Sequence, residues 1–486
     1  MTGVQTCALP IWHNRPSLSR ESVWMLDEKY SGQTLQDKIK LIKNAIPKDS
    51  AHKSTPSKND THKNAFPNND IHKSALLLCA LDDIAWTLNL RGNDIAYCPL
   101  FLSYLIIRDT ECTLYSDKDK FSKDILNYLT DNNINLKPYM SVYKEIQTFT
   151  GTLYTDYSTT NYSLVQIAKE SNTININNLV SPVSMLKAVK NHIEYDNIRN
   201  AHIKDGVALV RFMKWLKENV SNKTLTEISV AQKLEEFRQE MDGYIEPSFE
   251  PIMGYKDHGA IIHYSATPES AYTLNNEGFL LSDTGAHYME GTTDVTRTFV
   301  LGQISDEMKY HYTLVLKGHL NLLSVIFKEG CSGLNLDYIA RKPIWEAGLD
   351  YNHGTGHGVG YLLNVHEGPQ AIRHRVTPGR NESIAFKPGM VTSNEPGLYF
   401  PDKYGIRLEN LILCIEKFHN EYGMFLGFDP LTLCPFEADA INVSQLSMEE
   451  LNTLNNYHQL VYESLKPYLT EDDSLWLKCV TAPLKA

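Results

Sequence analysis

The sequence predicts an α+β architecture in two parts: an α/β domain over residues 13–182 and a larger domain over residues 183–486. Three observations predict it. The chain has 486 residues, more than one hydrophobic core serves comfortably. Short apolar runs alternate with amphipathic stretches in the first part, as strands and crossing helices do. The second part opens on long helical periodicity and then turns to strand and turn signals.

Residues 34–46 place Leu35, Ile39 and Ile42 on one helical face, and Pro47 stops the helix. Leu76-Leu-Leu-Cys-Ala80 reads as a buried strand. Asp82 then caps a helix over 84–88, and residues 99–107 and 112–115 read as neighbouring strands. In the second domain, residues 191–217 form a long helix with Ile203, Val207, Val210 and Met213 as its buried stripe, and His202 and Asp205 read as structural or solvated rather than catalytic. Residues 225–241 form a second helix, Ala260-Ile-Ile-His-Tyr264 a strand, and residues 278–282 and 295–301 an antiparallel pair. A third helix covers 306–327.

Two stretches stand apart from this plan. Residues 1–12 lack a basic leader and read as a non-native segment. Residues 49–73 hold a ten-residue repeat that sets His52, His62 and His72 in register, and few apolar residues accompany it. It reads as a disordered surface insert rather than a metal site.

Composition excludes several functions. A net charge of −12 argues against a generic nucleic-acid surface. No apolar run approaches the ~20 residues of a membrane span. The eight cysteines are scattered without CxxC spacing, as reduced thiols of a cytoplasmic protein would be.

Five residues are candidate metal ligands. Asp283 ends the apolar run Gly278-Phe-Leu-Leu-Ser-Asp-Thr-Gly285. Asp294 lies in Gly291-Thr-Thr-Asp-Val-Thr-Arg-Thr298 and His357 in His353-Gly-Thr-Gly-His-Gly-Val-Gly360. Glu395 lies in Ser393-Asn-Glu-Pro-Gly397 and Glu409 in Gly405-Ile-Arg-Leu-Glu-Asn410. Asp283 and Asp294 fall near facing ends of the predicted strand pair. Arg407 and Glu409, two apart in a strand, share a face while Leu408 points away. The glycines around His357 let backbone pass close by. Taken singly, each acid also reads as an ordinary turn or loop residue.

Together these strings resemble the pita-bread metallopeptidases, in particular the cytosolic Xaa-Pro aminopeptidase branch. Asn364-Val-His-Glu-Gly-Pro369 belongs to the same resemblance, and Trp476-Leu-Lys-Cys-Val-Thr-Ala-Pro-Leu484 resembles the family's tail. Residues 80–92 resemble its creatinase-like α/β domain. The resemblance implies a C-terminal pita-bread catalytic domain preceded by a creatinase-like domain. Three-domain members carry one more such domain at the N-terminus, which this chain is expected to lack.

The resemblance also implies roles. Asp283, Asp294, His357, Glu395 and Glu409 would hold two divalent metal ions. Oxygen-rich ligation with one imidazole suits Mn2+, and Co2+, Fe2+ or Zn2+ also fit. A hydroxide bridging the metals would attack the carbonyl before proline, with Glu395 handling the proton. His263, His353 and His366 would lie on the substrate side, His263 and His353 binding substrate and His366 polarising the carbonyl or stabilising the tetrahedral intermediate. Arg407 would orient the substrate or hold neighbouring groups, and Val365 would line the proline pocket. The expected substrates are peptides with proline second, and the expected assembly a homodimer. The alternatives are a dipeptide-preferring prolidase or an inactive pita-bread binding module; creatinase works without metals, and methionine aminopeptidase normally lacks the preceding domain.

Overall fold

Short apolar segments rich in Leu, Ile and Tyr build the first unit around a mixed sheet. The computed structural model describes residues 14, 16–47, 74–376 and 384–485. The expected non-native segment at 1–12 and the histidine repeat at 49–73 lie outside the described residues. The chain divides into two units, the first drawing on residues up to 25, 47–95 and 100–178, the second on 26–46, 96–99 and 179 onward.

In the first unit, six strands lie in the order Ile134–Lys137, Cys112–Tyr115, Tyr104–Arg108, Ser74–Leu78, Gly151–Thr155 and Ile174–Asn178. The central Ser74–Leu78 strand pairs antiparallel with Tyr104–Arg108 and parallel with Gly151–Thr155. Its side chains are almost wholly buried, the pattern of a strand covered on both faces. Helices Lys123–Asp131, Ser141–Thr148 and Tyr162–Glu170 connect the parallel strands. The expected strand over 99–107 begins only at Tyr104. Asp82 is not a cap, because the helix starts at Leu81 and sets Asp82 in its first turn, where a carboxylate favours the helix dipole.

One segment departs from a linear division at 182/183. Residues 26–46, including the helix Leu35–Ala45, pack with the second unit. Contacts between distant parts of the chain hold it there: Asn191, which caps the next long helix, donates from Nδ2 to the Ser31 carbonyl at 2.9 Å. Asn197 Nδ2 donates to Lys29 O at 3.1 Å. Gly32, at φ +65°, permits the approach, since a Cβ there would fall 2.4 Å from Asn191 Oδ1.

The second unit is built on the helix His192–Asn219, whose capping box joins Asn191 and Glu194. Val207 and Val210 enter one core cluster with Phe279, Tyr312, Leu408 and Phe436. His202 and Asp205 are structural as expected. His202 Nδ1 lies 2.8 Å from Ile198 O, and Asp205 forms a buried pair with Arg238. Strands Ile252–Tyr255, Phe279–Thr284 and Val295–Val300 form one antiparallel sheet. Val391–Asn394, Asn410–Asn420, Gly423–Pro430 and Phe327–Lys328 form another. The hairpin Gly397–Phe400/Tyr404–Arg407 lies in sequence between Val391–Asn394 and Asn410–Asn420 of that second sheet.

The expected strand at 260–264 is absent. A 3-10 turn over Lys256–Ala260 leads instead into an irregular loop. The Gly259 backbone presses against Gly254 and Gly405, where a Cβ on Gly405 would fall 1.7 Å from Gly259 O. Glu227 then accepts from His258, Tyr264 and the Tyr272 N–H, which takes the place of a strand ladder.

Candidate metal centre

Strand register sets the acids on one face. Asp283 stands opposite Thr296 across the antiparallel pair, and Asp294 lies two residues before Thr296. Asp294 immediately precedes the strand Val295–Val300, and its Oδ2 lies 3.5 Å from His357 Nε2. Glu409 joins them because its N–H donates to Thr296 O at 3.0 Å, and Thr296 Oγ1 donates to Glu409 Oε2 at 2.7 Å. Leu408, fully buried, points into the core as expected.

Asp294, His357 and Glu409 bring ligand atoms within 4.8 Å of one another. Glu395 completes this side, with Oε1 3.5 Å from His357 Nε2, the same distance as Asp294 Oδ2. The His357 Nδ1–H donates to Gly358 O at 3.0 Å, so the neutral ring presents its Nε2 lone pair to the acids. Asp283 stands at the edge: Oδ2 accepts from Arg407, while buried Oδ1 has no hydrogen-bond partner. Glu409 Oε1 is likewise buried without one.

The glycines around His357 work as expected. A Cβ on Gly356 would fall 2.1 Å from Ser393 O, and one on Gly358 2.0 Å from Glu367 O.

Electrostatics show what the cluster lacks. Burial, then the charges of Asp283 and Glu395, hold the Asp294 carboxyl well above the usual range. Burial, then Asp294 and Glu395, do the same to Glu409. Glu395 is pushed up to about 7, chiefly by burial. Burial, with the neighbouring His366, takes His357 down to about 3. Two buried carboxyls, two partly buried ones and one neutral imidazole, with two of the carboxyl oxygens lacking donors, form a donor set deficient in positive charge. Divalent cations that accept oxygen and imidazole ligands fit that deficit.

The remaining expected residues surround this cluster. Exposed His366 sets its ring edge-on to His357, centroids 4.3 Å apart. Buried Val365 precedes it. Exposed His263 lies in the loop after the 3-10 turn. His353 has both ring nitrogens engaged: Nδ1 donates to Gly354 O at 2.7 Å, and Nε2 accepts from Tyr399 O–H at 2.8 Å. Arg407 donates to that same Tyr399 hydroxyl at 2.8 Å and to Thr296 at 3.2 Å.

Three residues of this network escaped the sequence reading. Tyr399 links His353 to Arg407, Thr296 links Arg407 to Glu409, and Ser393 donates to Glu395 Oε1 at 3.2 Å. Thr296 and Ser393 each lie two residues from a ligand candidate in a strand, a period-two signal that was available. Tyr399 carried no such local signal.

Known proteins align with this picture. The metallopeptidase family M24 profile matches residues 196–416, the creatinase/prolidase N-terminal domain residues 14–194, and the C-terminal region of peptidase M24 residues 424–484. A probable Xaa-Pro aminopeptidase P of Laccaria bicolor is 36% identical over 98% of this chain and 71% of its own length. Xaa-Pro aminopeptidase 1 of Dictyostelium discoideum is 35% identical over 96% and 72%. The structure of an X-prolyl aminopeptidase from Caenorhabditis elegans, described as a cytosolic enzyme with a di-nuclear active site, superposes with a TM-score of 0.87. It is 34% identical, covering 98% of this chain and 75% of that one. A Pyrococcus furiosus prolidase shares the fold at 24% identity and a TM-score of 0.57. The chain belongs to metallopeptidase family M24, in its Xaa-Pro aminopeptidase group.

Proposed function

We propose that this chain is a metalloaminopeptidase that hydrolyses the N-terminal Xaa-Pro bond of peptides and releases the first residue. The observation that carries the reading is the convergence of four carboxyls and His357 Nε2, two of the acids buried and two partly buried, with Asp283 Oδ1 and Glu409 Oε1 lacking donors. Asp283, Asp294, His357, Glu395 and Glu409 would hold two divalent cations, with Mn2+ the best match to the donor set. Bound there, the cations supply Lewis acidity and lower the pKa of water.

The protein's own groups do the rest. Glu395, steadied by Ser393, is placed to take a proton at one carboxylate oxygen and pass it to the leaving proline nitrogen. His366, exposed beside His357, can donate to a developing oxyanion. Arg407 holds Asp283, Thr296 and Tyr399 together through its planar fork. With both nitrogens of His353 occupied, its contribution is to shape the wall beside Glu395, along with His263 and Val365 on the substrate side. Proline's ring nitrogen lacks a hydrogen and its φ is fixed, so a dedicated pocket gains binding energy that aligns the carbonyl.

The same proposal places the protein in the cytosol as a homodimer. No described helix is long and apolar enough to cross a membrane.

The test is release of arginine from Arg-Pro-Pro with Mn2+ present and after chelation. Cleavage that vanishes on chelation and returns with metal supports the reading; folded, metal-loaded protein that releases nothing overturns it. A preference for Arg-Pro dipeptides would point to prolidase instead. Tyr399→Phe should lower kcat/KM about tenfold, since it removes the hydroxyl between His353 and Arg407. Steady-state kinetics on the metal-loaded variant would check this, and an unchanged rate would show the link to be idle.

A further inference from the structure

Glu395 and Glu409 can serve the same cations only if the backbone beneath each keeps a fixed place and direction. A constellation of this kind tolerates misplacement of about 0.5 Å. Neighbouring strands and loops hold each acid at its amide: Glu395 N–H donates to Thr355 O at 2.8 Å, and Glu409 N–H to Thr296 O at 3.0 Å. The same two peptide units present a carbonyl on their opposite edge, that of Asn394 and that of Leu408. One side chain takes both. His319, fully buried on the helix Asp306–Leu323, has its Nδ1 3.1 Å from Asn394 O and 3.3 Å from Leu408 O. Carbonyls only accept, so Nδ1 carries the proton and shares it between them. Asn394 Nδ2 donates back to His319 O at 2.9 Å. At the far side of the ring, Nε2 is buried without a hydrogen-bond partner among the described residues. The ring there meets Phe436 edge-on, centroids 5.2 Å apart. The polar contacts of this imidazole therefore lie at Nδ1.

A planar peptide unit held at both edges cannot swing, and the Cα–Cβ bond that follows it keeps one direction. His319 closes that hold on two units at once, reaching 75 positions along the chain to one and 89 to the other. We propose that His319 is a positioning residue for the candidate metal centre. Its Nδ1–H sets the spacing of Glu395 and Glu409, and through that spacing the affinity for divalent cations. This rests on the metalloaminopeptidase reading and deepens it, because the ligands are then set by a residue that acts through the backbone behind them.

The test titrates Mn2+ into metal-free protein by calorimetry, on wild type and on three variants. H319L removes the donor, H319Q moves it one bond outward, and H319N keeps an amide N–H where Nδ1 stands. The Mn2+ dissociation constant should rise about tenfold in H319L and H319Q, the cost of loosening groups that orient metal ligands, and stay within about twofold of wild type in H319N. A histidine that only supported the fold would lower the melting temperature of the metal-free protein and leave Mn2+ affinity alone; that outcome overturns the proposal. H319N binding as weakly as H319L overturns it too, since the donor would then be immaterial. H319Q carries the comparison if H319L fails to fold. Collapse of both beside a folded H319N assigns the donor to folding and also overturns the proposal. Wild type that takes up no Mn2+ overturns both this proposal and the aminopeptidase reading. Wild type that binds Mn2+ yet releases no arginine from Arg-Pro-Pro overturns the aminopeptidase reading alone.

Discussion

Asp294→Asn and Glu409→Gln should each abolish hydrolysis while leaving a folded protein. The fall should exceed about a thousandfold, roughly 4 kcal/mol of transition-state stabilisation. The argument rests on what each acid does in the metal-free fold. Asp294 and Glu409 are almost fully buried, and burial with neighbouring acids raises both: Asp283 and Glu395 act on Asp294, and Asp294 and Glu395 act on Glu409. Their charges bring no stability by themselves, so an amide of the same shape removes repulsion instead of a contact. The metal-free variants should therefore melt at or above the wild-type temperature and lose the further rise that Mn2+ gives the wild type. Calorimetry with and without chelator, beside the peptide assay, checks both halves. A variant that hydrolyses at full rate would sink the dinuclear assignment.

Glu395→Gln should alter stability in a way that depends on pH. The Glu395 carboxyl is raised from 4.5 to about 7, chiefly by burial. The folded chain thus holds this proton more tightly than the unfolded chain does. The stabilisation is complete below about pH 4.5 and is lost as pH rises through about 7. A glutamine has nothing to lose over that window. In metal-free protein, the stability of the variant relative to wild type should therefore climb by about 3 kcal/mol between pH 4.5 and 8. Taking the difference removes the opposing titration of His353 and His357, which are both depressed to about 3 by burial. Urea unfolding at several pH values measures it, and a flat difference would show that Glu395 titrates normally.

Much of the candidate centre was legible because its signals are local. Asp283, Asp294 and Glu409 lie in or beside strands whose alternation is visible, and the glycines around His357 mark close backbone approach. The loop at 260–264 was not legible. Its Ile-Ile-His-Tyr string has strand composition, yet contacts of Gly259 with Gly254 and Gly405 decide its shape. Tyr399 was missed for a similar reason, since its partners His353 and Arg407 meet it only after the 397–407 hairpin docks. The asparagine side-chain bonds that tie residues 26–46 to the second unit likewise join positions 160 and 168 apart in sequence.

The tie between Thr296 and Glu409 spans 113 positions, and that between Arg407 and Asp283 spans 124. Contacts so distant along the chain form late, once slow non-local pairing is nearly complete. A partly folded chain therefore holds scattered acids and no chelating pocket. Cations should act on the native basin alone, adding about 2.7 kcal/mol at a hundredfold excess over Kd. That gain should appear as slower unfolding, with refolding speed almost untouched, so that metal serves as a latch on the finished molecule and not as a template for making it.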